Sequence, residues 1–290
     1  MDVTEIYCKA DDFFKEFEPE FREELIEDGR KRNRYPELSI SEIMTILILF
    51  HQSCYRHFKG YYKKHIQVHF QKYFPNLVSY NRFIQLVPRT IMPMMAFLDS
   101  IKGKVTGISF MDSTSIAVCK NKRIRRNKVF KDLATRGKTT MGWFFGFKLH
   151  LIVNDQGDLL SWRVTQGHVD DRAPVRSMAK NVKGKLFADK GYISQPLFKD
   201  LFEKGTHLVT TIRSNMKNRL MPIMDRILLR KRFIIETIND QLKNISQLEH
   251  SRHRSPVNFL VNLIAALSAY QLKPKKPAIK LDSDQLALAF

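Results

Sequence analysis

The chain has 290 residues, 43% of them hydrophobic, enough for one large core and a smaller satellite domain without disulfide or metal staples. Lys and Arg number 49 against 29 Asp and Glu, a formal net charge of +20, which makes nucleic acid the default partner. No apolar run reaches the roughly 20 residues of a membrane-crossing helix, three cysteines without a CxxC pair argue against a disulfide framework or a zinc site, and with no charged-then-apolar leader the expected compartment is a reducing cytoplasm.

Acids crowd the N-terminus: residues 1–28 hold 11 of the 29, whereas Asp99 is the only one between Ile43 and Met111. The basic surface therefore belongs to the rest of the chain. Residues 1–103 read as a helical domain, with apolar residues at three- and four-residue spacing. Ser39 and Glu42 have capping-box spacing ahead of the apolar run Ile43 to Phe50, so a helix is expected there. A second is predicted over Gly60 to Tyr73, ended by Pro75. Ser79 can cap a third, whose polar first turn is Tyr80, Asn81 and Arg82. Together they suggest a helix-turn-helix in which those three residues read DNA; the alternative is a set of solvated bundle helices with basic faces.

From Gly107 the pattern changes to β-rich runs: Ile108 to Val118, Trp143 to Val153 and Leu159 to Val164, the last two joined by the turn Asn154-Asp155-Gln156-Gly157. A helix from about Arg172 to Val182, a strand Lys185 to Asp189, a helix Pro196 to Lys204, a strand Leu208 to Ile212 and a long helix from about Ile223 to Ile245 follow. The order βββαβαβα predicts an α/β fold with a mixed sheet covered by helices, in the order of the RNase H-like fold. The expected boundaries are a helical, helix-turn-helix-like domain over 1–103, an RNase H-like domain over 104–272 closed by an apolar helix from Val257 to Leu272, and a basic flexible tail over 273–290.

Asp112 follows Ile108-Ser109-Phe110-Met111, and Asp189 ends Leu186-Phe187-Ala188 beside Lys190-Gly191. A carboxylate inside so apolar a strand is costly unless something pairs with it, and ligand sites in open α/β sheets favour strand ends. Glu236 lies in the apolar helical stretch Phe233 to Ile238. Singly, each acid reads first as a strand-end or helix-surface carboxylate paired with one of the many lysines; the triplet in its fold order is what shifts that reading. Lys120 to Lys131 packs seven basic residues with no acid directly after the first strand. That run is either a solvated loop or a phosphate guide formed by Lys122, Arg123, Arg125 and Arg126. His168, Asp170 and Asp171 mimic metal-ligand spacing, but a capped turn ahead of Pro174 explains them more cheaply. His150 reads as a core or sheet-face histidine, and Phe144, Phe145 and Phe147 as core residues rather than base-stacking ones.

These residues resemble those of the insertion-sequence DDE transposases, and within them the group named after insertion sequence 982. The resemblance rests on Met111-Asp112-Ser113-Thr114, on Ala188-Asp189-Lys190-Gly191-Tyr192 and on the stretch Arg232 to Lys243. It spans roughly residues 30 to 275. Relatives carry Tyr-x2-Arg-x3-Glu-x6-Lys; Arg232, Glu236 and Lys243 match at those spacings, but Leu229 stands where the Tyr would be. The run Leu248 to Ser255 also resembles the group.

The resemblance implies a bacterial, nucleoid-associated transposase that cuts DNA at its element's terminal repeats and joins the 3′ ends to target DNA. Asp112, Asp189 and Glu236 would hold two Mg²⁺ ions, with Mn²⁺ as a substitute, about 3.5 to 4 Å apart, and a homodimer would pair the ends. Lys190, Arg232 and Lys243 would contact DNA phosphate, although Arg232 and Lys243 also read as neighbours that balance the charge of Glu236. A catalytically inactive DNA-binding descendant of such an element and a host nuclease of the same fold remain open at this point.

Overall fold

The computed structural model describes residues 2–27, 38–140, 142–212, 216, 220–249 and 253–279, with the side chains of 20–27 left aside. Parts of the run Leu248 to Ser255 and all of Leu281 to Phe290 lie outside the described residues. The chain divides into two compact units, one formed by Met1–Ile101 with Leu242–Pro274, the other by Lys102–Gln241 with Lys275–Phe290.

The first unit is helical. Helix α1 spans Val3–Glu27 and buries Ile6, Ala10 and Phe14, a four-residue repeat that places one stripe against the core. Helix α2, Ile40–Gln52, begins with the expected capping box: the Ser39 hydroxyl accepts from the Glu42 amide and the Glu42 carboxylate from the Ser39 amide. Helices α3 (Phe58–Tyr61) and α4 (Gln67–His69) flank a π turn over Tyr62–Ile66, so the helix expected over Gly60 to Tyr73 is wound unevenly and ends early. Ser79 caps helix α5, Tyr80–Leu86, accepting from the Arg82 amide.

The connection ahead of α5 is longer than a helix-turn-helix implies. Residues 70–79 separate α4 from α5, well beyond the three or four residues of such a turn. The Tyr62 hydroxyl donates to the Val78 carbonyl at 2.8 Å, holding this longer connection to the preceding turn. Helix α6 follows at Ile91–Ser100.

Six strands and four helices build most of the second unit. The strands are β1 (Ile108–Cys119), β2 (Thr135–Thr139), β3 (Gly142–Asn154), β4 (Leu159–Gln166), β5 (Gly184–Ala188) and β6 (Thr206–Thr210). Strand β3 is antiparallel to β1 along one edge and to β2 and β4, end to end, along the other; β1, β5 and β6 are parallel neighbours. Without β2 the order is β4-β3-β1-β5-β6, the RNase H-like topology, as expected. Gly184 opens β5 at φ +90°, where a Cβ would collide with the Gly107 carbonyl, so only glycine lets the two strands start side by side.

Alternation along the strands gives each face a partner. Met111, Ile152, Leu186 and Ala188 pack with helices α7 (Val175–Met178) and α8 (Gln195–Glu203) in one cluster that includes Val175, Met178, Leu197 and Leu201. The other face carries Phe110 and Phe187, stacked at 5.4 Å, and receives helices α9 (Ile223–Lys231) and α10 (Phe233–Asp240). The single long helix predicted over Ile223 to Ile245 is thus two helices, followed by a π turn over Gln241–Ile245. The helix expected over Arg172 to Val182 shrinks to the four residues of α7.

Two domain boundaries differ from expectation. The last helix, α11 (Pro256–Gln271), is buried from Val261 through Gln271 and packs on α2 and α6, so it belongs to the helical unit rather than to a 104–272 domain. A helix apolar on every side has to sit inside a bundle, and sequence order does not say which. The described part of the tail is also anchored: Lys276 pairs with Asp158 at 3.1 Å and the Ile279 amide donates to the Asp155 carbonyl at 2.7 Å.

Buried histidines make stability pH-dependent. Burial lowers His51, His150 and His253 to about 4. Each depressed group leaves stability complete above its unfolded value near 6.5 and withdraws it as pH falls toward 4, at up to about 1.4 kcal/mol per pH unit per histidine. Thermal unfolding followed by circular dichroism is expected to show a clear loss of Tm from pH 7.5 to pH 5, and His51→Gln should flatten it. An unchanged Tm would refute this account.

Candidate active site

Strand register brings the first two acids together. The β1–β5 pairing runs Ile108 with Lys185, Ser109 with Leu186 and Phe110 with Phe187; continued for two further steps, that register sets Asp112, inside β1, beside Asp189, the residue just after the carboxyl end of β5. Each lies two residues beyond a stacked phenylalanine, so both continue onto the face covered by α9 and α10. Helix α10 buries Ile234, Ile235, Ile238 and Asn239 and leaves Glu236 exposed at its edge. Asn239, three residues later and one turn along the same helix, donates from Nδ2 to Asp112 Oδ2 at 3.3 Å.

The electrostatics register the convergence. Burial first, and then the like charges of Glu236 and Asp189, push Asp112 up to about 6, against the Ser113 amide and the Arg232 guanidinium, which pull it down. Arg232 also bonds Glu236, Nη2 to Oε1 at 2.8 Å. Tyr192 packs into the cluster on the opposite face, and burial followed by the charge of Asp112 holds its phenol neutral.

The structure thus gathers Asp112, Asp189, Glu236 and Arg232. Neither Asn239 nor Tyr192 was singled out in the sequence. The three-residue spacing from Glu236 to Asn239 on one apolar helix was the signal for the first; the second closes the stretch Ala188-Asp189-Lys190-Gly191-Tyr192.

Among the described residues, no three of His, Cys, Asp and Glu form a ready-made metal-binding group; Glu236 is turned to Arg232. The donor set nonetheless suits a hard divalent cation. Every candidate ligand is an oxygen, the acids repel one another, and the Asn239 Oδ1 atom is buried without a hydrogen-bond partner. A cation relieves both the repulsion and the orphaned oxygen.

Other candidates fall elsewhere. Lys190 is exposed in the turn after Asp189. Lys122, Arg123, Arg125 and Arg126 are exposed on the 3₁₀ turn Asn121–Arg126, but Lys120 follows Asp112 by eight residues, about 26 Å of extended strand. That turn therefore lies well away from the acids rather than beside them.

Lys243 lies in the π turn, where the 3.6-residue count stops applying, and pairs with Glu249 at 3.2 Å. Tyr80, Asn81 and Arg82 belong to the helical unit; Asn81 and Arg82 are exposed, whereas Tyr80 packs on Tyr62 and Phe58. Asp170 pairs with Arg172 at 2.6 Å and accepts from the Arg172 amide at 2.8 Å, in keeping with a capped turn rather than a metal site.

A sheet of RNase H-like topology with one acid inside β1, a second just past the end of β5 and a third on a covering helix defines a class of DDE-type nucleic-acid enzymes. The transposase DDE domain family matches residues 102–256, and the chain belongs to that family. The match ends where α11 begins. Among solved structures, the chain is similar to a piggyBac transposase synaptic complex with hairpin DNA determined by cryo-EM, at 14% identity and a TM-score of 0.37, over 76% of this chain and 50% of that one. It therefore spans half the length of that protein. No curated protein matches the sequence. No helix among the described residues is long and apolar enough to cross a membrane.

Proposed function

We propose that the protein is a transposase of the insertion sequence 982 group, bacterial and acting on the nucleoid, that cuts DNA at its element's terminal inverted repeats and joins the freed 3′-hydroxyls to target DNA. The observation that carries this reading is the placement of Asp112 and Asp189 on neighbouring parallel strands under helix α10, which carries Glu236 and bonds Asp112 through Asn239, within a chain of the transposase DDE family.

Asp112, Asp189 and Glu236 would hold two Mg²⁺ ions, with Mn²⁺ as a substitute, and the Asn239 amide oxygen lies ready as a further donor. Two such ions supply an activated water and charge neutralisation at the leaving oxygen. The chain's own groups position the site: Asn239 and the Ser113 amide orient the Asp112 carboxylate, and Arg232 holds Glu236 until substrate arrives. Arg232 and Lys190 contact phosphate near the cut; Lys122, Arg123, Arg125, Arg126 and, once released from Glu249, Lys243 contact it elsewhere; Tyr80, Asn81 and Arg82 read the repeats. Bringing two ends together calls for a homodimer.

The test is purified protein with Mg²⁺ and DNA carrying the element's ends, resolved on denaturing gels. Nicked and joined strands are expected, and both should vanish in Asp189→Asn while end binding persists. Nicking without joining would replace the reading by a host nuclease, end binding without nicking by an inactive descendant, and full activity in Asp189→Asn would overturn the catalytic assignment.

A further inference from the structure

We infer that Trp143 is a stacking platform for an unpaired DNA base, at the tip of the β2–β3 hairpin and beside the basic turn Asn121–Arg126. The inference takes DNA as ligand from the proposed function and assigns the protein a second kind of contact, one that recognises exposed base faces instead of phosphate.

Trp143 is 62% exposed, while its neighbours Phe144 and Phe145 are buried. A tryptophan ring held in water forgoes burial of up to about 200 Å² of largely apolar surface. This ring is exposed from a firm base. Its backbone carbonyl accepts from Asn121 Nδ2 at 2.7 Å, tying the hairpin to the basic turn. Trp143 is the cross-strand partner of Lys138, whose ammonium lies 5.8 Å from the ring centroid.

The approach is open and positively charged. A Cβ at the adjacent Gly142 would meet nothing within 4 Å among the described residues beyond its chain neighbours. Arg136 and Lys138 are exposed on the same face of β2 as the ring, and Lys122, Arg123, Arg125 and Arg126 on the tethered turn. An aromatic face ringed by cations is the arrangement by which proteins hold single strands: the cations track the backbone, the ring takes a base, and any base fits because every base has a π face. A fully paired duplex offers no such face, so the site discriminates for unpaired DNA.

Strand geometry places it away from the cut. Cys119 at the far end of β1 pairs with Phe145, so the ring lies about 25 Å from Asp112 along the strands. A DNA strand crossing the acids reaches Trp143 about seven nucleotides later, at roughly 3.4 Å per nucleotide.

The experiment is fluorescence anisotropy of a labelled single-stranded 15-mer and of the corresponding duplex, in EDTA, with wild type, Trp143→Ala and Trp143→Phe, folding being checked by circular dichroism. Trp143→Ala should weaken single-strand binding at least fivefold, Trp143→Phe should restore most of it, and duplex binding should be unchanged. Equal single-strand affinity in Trp143→Ala, or equal losses on both DNAs, would overturn the inference. Because the assay needs neither metal nor cleavage, its outcome is separate from the fate of the catalytic reading.

Discussion

Replacing Asp112 by asparagine is expected to lower DNA nicking by about a thousandfold or more and, in the same protein, to raise its Tm at neutral pH in the absence of metal. Losing a carboxylate that would anchor a cation forfeits several kcal/mol of transition-state stabilisation, and each 1.36 kcal/mol is a factor of ten in rate. The gain in stability has another origin. Asp112 is ionised at pH 7 although burial and the charges of Glu236 and Asp189 favour its neutral form and raise it to about 6. Asparagine keeps the shape and removes a buried charge whose tolerance costs about 1–3 kcal/mol. Differential scanning calorimetry in EDTA checks the second half, and Mg²⁺ should then raise the Tm of wild type but not of Asp112→Asn. A variant less stable than wild type would show that the carboxylate holds the fold rather than a ligand.

The second large effect concerns the joint between α9 and β5. Lys185 of β5 and Asp225 of α9 pair at 2.8 Å with side-chain exposures of 25% and 5%. Lys185 shares a sheet face with Phe187 and Asp189, so this bond pins α9 to the face that carries the acids. The single substitution Lys185→Met leaves the Asp225 carboxylate buried and unpaired, a change expected to cost about 3–5 kcal/mol. Combining Lys185→Met with Asp225→Leu makes both positions apolar and should recover most of that loss. Urea unfolding of the single and double variants measures the coupling; additive losses would mean that the two side chains do not depend on each other.

Much of this architecture can be read without coordinates. The capping box at Ser39, the cap at Ser79 and the strands carrying Asp112 and Asp189 depend on residues within a few positions of one another, and local hydrogen bonding or alternation suffices to reveal them. Strand β2 escaped because Thr-Arg-Gly-Lys-Thr has no apolar alternation; it is a strand only because β3 supplies its partner. Trp143 escaped for the opposite reason. Phe145 shares its sheet face and is buried, so the exposure of Trp143 comes from its place at the hairpin tip and not from alternation along the strand.

The sequence by itself determined the periodicities, the net charge and the positions of three acids in apolar surroundings, because each of these is a property of residue type and spacing. Tertiary structure alone decided that Asp112 and Asp189 become neighbours through parallel register, that α10 brings Glu236 and Asn239 to the same sheet face, and that α11 joins the helical unit. Those outcomes depend on which distant surfaces bury one another, and burial is a relation between segments that no single stretch of chain encodes.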